Sequence, residues 1–183
     1  MLRLFVAIAI PEPTARVVVA LCEGLPGVRW SPRQNFHVTL YFAGEISETA
    51  AEDFDSELGA ITLPSFEIGL SGVGVFDGPA GPRSLWAGVD ANQGLTRLRS
   101  RCVTAARRAG LRVDGRAWRP HITLAYVADA PEARIAAWIQ ANSLARPPAF
   151  RVETFGLFSS RRGAEAARYR LERAYGLAAP ANS

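Results

Sequence analysis

His37-Val38-Thr39-Leu40 decides the reading of this chain, because His121-Ile122-Thr123-Leu124 repeats it. The chain has 183 residues and two histidines, and each histidine opens the same pattern: His, a β-branched residue, Thr, Leu. Asn35-Phe36 precedes the first run and Tyr41-Phe42 follows it; Ala125-Tyr126-Val127 follows the second. Runs so rich in β-branched and aromatic residues read as strands. Side chains two apart on a strand share a face. Strict alternation therefore sets His37 with Thr39, and His121 with Thr123, on one face. Val38, Leu40 and Phe42 fall on the other, apolar face, as do Ile122, Leu124 and Tyr126. By the same parity Asn35 and Tyr41 join the His37 face, and Arg119 joins the His121 face.

The echo reaches beyond the motifs. Residues 37 and 121 lie 84 apart, and that offset aligns further pairs without a gap: Glu48 with Glu132, Phe54 with Trp138, Pro64 with Pro148, Phe66 with Phe150, Gly72 with Gly156. Recurrence at a fixed spacing marks a duplicated unit, here β-α-β over residues 36–73 and 120–157. Related halves predict two histidine strands facing each other across a pseudo-twofold axis. The expected fold is α+β: one two-lobed domain over residues 1–183, built from duplicated β-α-β units, with mainly antiparallel sheets around a central cleft.

Apolar content near half with ordinary charge fits a soluble globular chain, and no apolar run is long enough to span a membrane. Residues 1–10 read as a buried first strand rather than a signal peptide, since Pro11-Glu12-Pro13 cuts the apolar run short. Cys22 and Cys102 match no metal spacing and suggest no disulfide framework, which fits a reduced, cytoplasmic setting. The net charge of +4 and the pI near 9.7 lean mildly toward a polyanionic partner, or reflect only an arginine-rich composition. All 21 Lys+Arg residues are arginine. Without lysine there is no lysyl-adenylate, no lysine Schiff base and no Walker A loop.

Breakers and periodicity place the remaining elements. Helices are expected over about 13–23, 47–58, 92–109 and 131–142, with Ser47 and Asn92 as caps. Further strands are expected over about 66–76, 84–89, 150–160 and 167–175. Gly44 ends the first histidine strand, residues 77–83 form an exposed loop, and residues 111–118 form a basic connection carrying Arg112 and Arg116.

Two imidazoles flanking one phosphorus atom can divide the proton transfers of phosphodiester cleavage. One, neutral, takes a proton from water; the other, protonated, gives one to the departing oxygen. With ordinary values near 6.5 both forms coexist at neutral pH. The Thr39 and Thr123 hydroxyls can donate to the non-bridging oxygens. Arg119 can add charge, and Asn35 and Tyr41 can line the cleft. Two rivals stand beside this reading: metal ligation, for which two histidines without clustered carboxylates or cysteines are too few to close a zinc site, and a structural role for both.

These residues resemble the two-histidine phosphoesterase family, and within it the bacterial RNA 2′,3′-cyclic phosphodiesterases, also called 2′-5′ RNA ligases. The resemblance runs through Arg3-Leu4-Phe5-Val6-Ala7-Ile8; Trp30 with Asn35 to Gly44; Pro82 to Val89; Arg119-Pro120-His121-Ile122-Thr123-Leu124-Ala125; and Ser159-Ser160 to Tyr169. It implies a bilobal α+β fold and metal-independent, cofactor-free opening of RNA 2′,3′-cyclic phosphate ends, or of nucleotide 2′,3′-cyclic phosphates, to 2′-phosphomonoesters. His37 is then the proton donor and His121 the acceptor. Any 2′-5′ joining is the ATP-independent reversal. The chain departs from the family at Tyr126, where many members carry an arginine that helps hold phosphate; either Arg119 or an arginine of the 161–162 turn substitutes, or phosphate affinity is lower. The expected partner is an RNA end, with no membrane and a monomeric chain. Two alternatives remain: a small-nucleotide 2′,5′- or cyclic phosphodiesterase, and a non-catalytic RNA-end binding module.

Overall fold

The computed structural model describes residues 1–79, 81–113, 115, 117–161, 163 and 167–179. Both histidine runs are strands, β3 (His37–Ile46) and β7 (His121–Val127). They lie side by side at the middle of one mainly antiparallel sheet and share a single register point, Val38 with Ile122. On the β3 side follow β1 (Leu2–Ala9), β9 (Thr154–Arg161) and β10 (Arg168–Gly176). On the β7 side follow β6 (Gly81–Val89) and β5 (Leu70–Gly78), and β2 (Val28–Trp30) also pairs with β7. The strands on the two sides are therefore halves of one sheet, joined where the histidine strands touch. A small second sheet pairs β4 (Phe66–Ile68) with β8 (Phe150–Val152).

One face of the main sheet is covered by helices α1 (Glu12–Val19), α2 (Glu48–Gly59), α3 (Gln93–Arg108) and α4 (Glu132–Asn142). They contribute Val18, Phe54, Leu58, Leu95, Leu98 and Ile135 to the buried cluster that holds Val38, Leu40, Ile122 and Leu124. Burial of each such side chain stabilises the fold by about 1.5–3 kcal/mol. Phe5 and Trp86 are also buried, but outside that cluster. The α+β fold is the one the alternation and helical periodicity require. The caps form as expected: Ser47 accepts from the Ala50 N–H, and Asn92 Oδ1 from the Leu95 N–H. Four elements begin at positions 84 apart: β3 and β7, α2 and α4, β4 and β8, β5 and β9.

Several boundaries differ from the sequence reading. The 66–76 strand splits at Gly69, whose backbone lies so close to Asp90 that a Cβ there would sit 2.6 Å from a carboxylate oxygen. β4 thereby turns away to pair with β8 while β5 stays with β6. Most of the 77–83 loop is strand instead: β5 runs to Gly78 and β6 starts at Gly81, whose φ of 106 suits glycine. Gly44 does not end β3; at φ 73 it carries the strand through a bulge to Ile46. Helix α1 stops at Val19, and the residues up to Cys22 tighten into i to i−3 hydrogen bonds.

Candidate active site

His37 and His121 are held in the same way. Each Nδ1 donates at 2.7 Å to the carbonyl two residues before it, that of Asn35 for His37 and of Arg119 for His121. A carbonyl only accepts, so Nδ1 keeps its proton and Nε2 is left to take or give one. Aromatic rings pack against both imidazoles. His37 packs on Phe5 at 5.0 Å and edge-on to Tyr169 at 5.3 Å; His121 stands edge-on to Phe76 at 4.7 Å.

In an antiparallel pair, contact at Val38–Ile122 brings His37 toward Thr123 and His121 toward Thr39. The cavities agree. His37, Thr39 and Thr123 line one of about 350 Å³, together with Asn35, Tyr126 and Tyr169. His121 and Thr39 line a second of about 590 Å³, with Arg119 and Phe76. Thr39 and Phe42 belong to both, so the four motif side chains straddle the boundary between two cavities.

Beyond the threonines, strict alternation fails. The β1–β3 register slips between Tyr41 and Thr39, and the β6–β7 register slips between Ala125 and Thr123. Each motif leucine, Leu40 and Leu124, is thus the extra residue of a bulge, and the faces exchange after it. Tyr41, expected in the cleft, turns inward: it is 7% exposed, its ring packs on Phe54, and its hydroxyl donates to the Arg112 carbonyl at the edge of the second cavity. Phe42, expected in the core, is 52% exposed on the cleft side, and Tyr126 is 41% exposed there. The same bulge in both strands gives each histidine strand an aromatic residue at the cleft.

Arg119 stays beside His121, but its guanidinium lies over the Trp86 indole at 4.3 Å, in the second cavity. Among the described residues the cations of the first cavity are Arg3 and Arg29. Arg3 lies over Phe42 at 5.2 Å, and Arg29, paired with Tyr126 across β2–β7, lies over the Tyr126 ring at 5.6 Å. Arg29 therefore brings a guanidinium to the side chain that stands where an arginine was expected. Sequence reasoning missed it because β2 contributes only three residues; period two along β1 did carry a signal for Arg3 and Phe5. Asn35 Nδ2 donates to the Ala167 carbonyl at 2.7 Å and ties the β9–β10 hairpin to the site. Arg116 and Arg162 lie outside the described residues, and exposed Arg161 lines neither cavity.

Burial lowers the pKa of both imidazoles below 6.5. The Asn35 carbonyl partly offsets this at His37, and the His121 charge adds to it. At His121 the Arg119 carbonyl opposes the shift and the Arg119 charge deepens it. Tyr169 is pushed up, chiefly by burial. Among the described residues no three His, Cys, Asp or Glu side chains gather as metal ligands.

The family described as the 2′-5′ RNA ligase superfamily matches residues 11–164. An RNA 2′,3′-cyclic phosphodiesterase of Archaeoglobus fulgidus is 32% identical over 129 residues, 69% of this chain and 73% of the relative. One of Bacillus subtilis is 30% identical over 126 residues, 66% of this chain and 69% of the relative. The crystal structure of E. coli LigT complexed with 3′-AMP superposes with a TM-score of 0.79 at 27% identity, covering 96% of this chain and 98% of that one. A match across most of the chain, with relatives and fold in agreement, makes this protein a member of the 2′-5′ RNA ligase superfamily.

Proposed function

We propose that the protein opens the 2′,3′-cyclic phosphate at an RNA end to a 2′-phosphomonoester, by acid–base catalysis without a metal or cofactor. The observation that carries this reading is the matched pair of imidazoles, each with Nδ1 held by a carbonyl and Nε2 left for chemistry. His121 takes a proton from water as the water oxygen bonds to phosphorus. The bond from phosphorus to the 3′ oxygen breaks, and His37 delivers a proton to that oxygen. The Arg119 charge, which disfavours a second cation at His121, supports the acceptor role there. Thr39 and Thr123 donate to the non-bridging oxygens, and Arg29 and Arg3 offset their charge. The nucleoside stacks in the first cavity, whose walls include Phe42, Trp30 and Tyr126.

The names of the relatives in Archaeoglobus fulgidus and Bacillus subtilis favour an RNA cyclic phosphate as substrate. Run backward, the same chemistry joins a 2′,3′-cyclic end to a 5′ hydroxyl, and a chain without lysine does so with no lysyl-nucleotide and no ATP. A monomer in the cytoplasm completes the reading. Cys22 and Cys102 are free, and burial pushes both thiols up to about 12, which leaves them inert.

Phosphorus NMR of cytidine 2′,3′-cyclic phosphate incubated with the protein and excess EDTA tests the proposal. The 2′-phosphate should form as the sole product. Formation of the 3′-phosphate, or activity that vanishes with EDTA and returns with a divalent ion, contradicts it. Binding without turnover identifies an RNA-end binding module instead.

A further inference from the structure

We infer that the arginine-lined cavity beside His121 is a second phosphate subsite, which holds a backbone phosphate of a polynucleotide rather than the reacting group. This rests on the phosphodiesterase reading and deepens it by giving a phosphate beyond the reacting one its own place on the protein.

Charge counting makes the case. A cyclic phosphodiester carries one negative charge, and the first cavity already offers Arg3 and Arg29 to meet it. The second cavity adds Arg83, Arg99, Arg112 and Arg119, and among the described residues none that lines it is acidic. Five arginines elsewhere have carboxylate partners: Arg16 and Arg33 share Glu12, Arg108 pairs with Glu57, Arg170 with Glu172 and Arg173 with Asp55. Among the described residues no carboxylate lies within ion-pair distance of Arg83, Arg99 or Arg119. Unopposed positive charge in a concave, low-dielectric wall concentrates anions.

The cavity is also built rather than merely exposed. Two of its guanidiniums lie over indole rings, Arg119 on Trp86 at 4.3 Å and Arg99 on Trp118 at 5.5 Å, which leaves their N–H edges for acceptors. The Arg99 Nε is buried and has no hydrogen-bond partner among the described residues. Trp118 Nε1 donates to the Thr39 carbonyl at 3.0 Å, so this wall is anchored to the catalytic strand. Attack on the His121 side needs room for one water, about 30 Å³, whereas this cavity offers about 590 Å³.

The phosphate can come from the strand whose end is being opened or from a second strand, and two binding measurements separate these sources. The first uses a fluorescent tetraadenylate ending in a 2′-phosphate. The second uses a tetraadenylate with free 5′ and 3′ hydroxyls, added to protein saturated with adenosine 2′-monophosphate. Each is compared between wild type and Arg83→Gln/Arg119→Gln over a range of salt. One probe should bind at least tenfold more weakly to the variant. Its log–log salt slope should be shallower by about 0.7 for each lost phosphate contact with single-stranded nucleic acid. An effect on the first probe assigns the phosphate to the same strand; an effect on the second assigns it to another strand. Unchanged affinity and slope with both probes overturns the subsite. Neither measurement needs turnover, so a protein that binds as described yet hydrolyses no cyclic phosphate sinks the catalytic reading alone.

Discussion

Val38 and Ile122 pair across β3 and β7 at the one point where the two histidine strands meet. That contact sets Thr123 beside His37 in one cavity and places Thr39, which lines both cavities, beside His121. In the proposed reaction each threonine serves the phosphate beside the opposite motif's histidine. Thr39→Val and Thr123→Val keep the strand shape and remove one donor. Each should lower kcat/KM by about 10- to 100-fold, as expected for a hydrogen bond to a charged group worth roughly 1.5–3 kcal/mol. Steady-state kinetics on a nucleoside 2′,3′-cyclic phosphate decides it, and a loss below twofold in both variants removes the threonines from the account.

The pH profile should be displaced toward acid. The proposed reaction needs one imidazole protonated and the other neutral, so kcat/KM should peak between their two pKa values in the free enzyme. Both values lie below 6.5, through burial first and neighbouring charge second. The bell should therefore centre below pH 6.5. A bound phosphate anion favours both protonated forms and should move the kcat profile upward. The same shifts bear on stability: the contribution of neutral His37 and His121 is fully present above 6.5 and is lost as the pH falls through their folded-state values. A kcat/KM maximum above pH 7.5 is inconsistent with this arrangement.

Arg29 should matter more than its place on a three-residue strand suggests. It reaches the first cavity over Tyr126. Arg29→Gln should cost at least tenfold in kcat/KM, the scale of a charge-assisted hydrogen bond. Arg16→Gln, whose side chain pairs with Glu12 on α1 and lines neither cavity, should cost nothing measurable. Equal effects from the two variants contradict the assignment.

We propose that the halves descend from one duplicated unit. Superposing residues 36–73 on 120–157 should bring His37 onto His121 and bulge Leu40 onto bulge Leu124. A best superposition that leaves the histidines unmatched contradicts a common origin.

The paired His-x-Thr pattern carried most of the fold and the meeting of the two motifs, because period-two alternation and an 84-residue recurrence are properties of sequence alone. What stayed hidden depends on register. No local signal says that Leu40 and Leu124 are bulge residues, so the outward Phe42 and inward Tyr41 were read the wrong way round. Arg29 was hidden for a related reason, since only strand pairing brings β2 against Tyr126. Phe76 likewise reaches His121 from a strand two places away in the sheet.

Single-turnover cleavage of a nucleoside 2′,3′-cyclic phosphate by His37→Ala, His121→Ala and the double variant tests the central claim most directly. General acid–base catalysis by one side chain is worth about 10²- to 10⁴-fold, and groups that act as a unit are far from additive. Each single variant should lose about two to four orders of magnitude, and the double should be little worse than either. A single variant that keeps a rate near wild type, or losses that simply multiply in the double, would show that the two imidazoles do not work on one phosphate together.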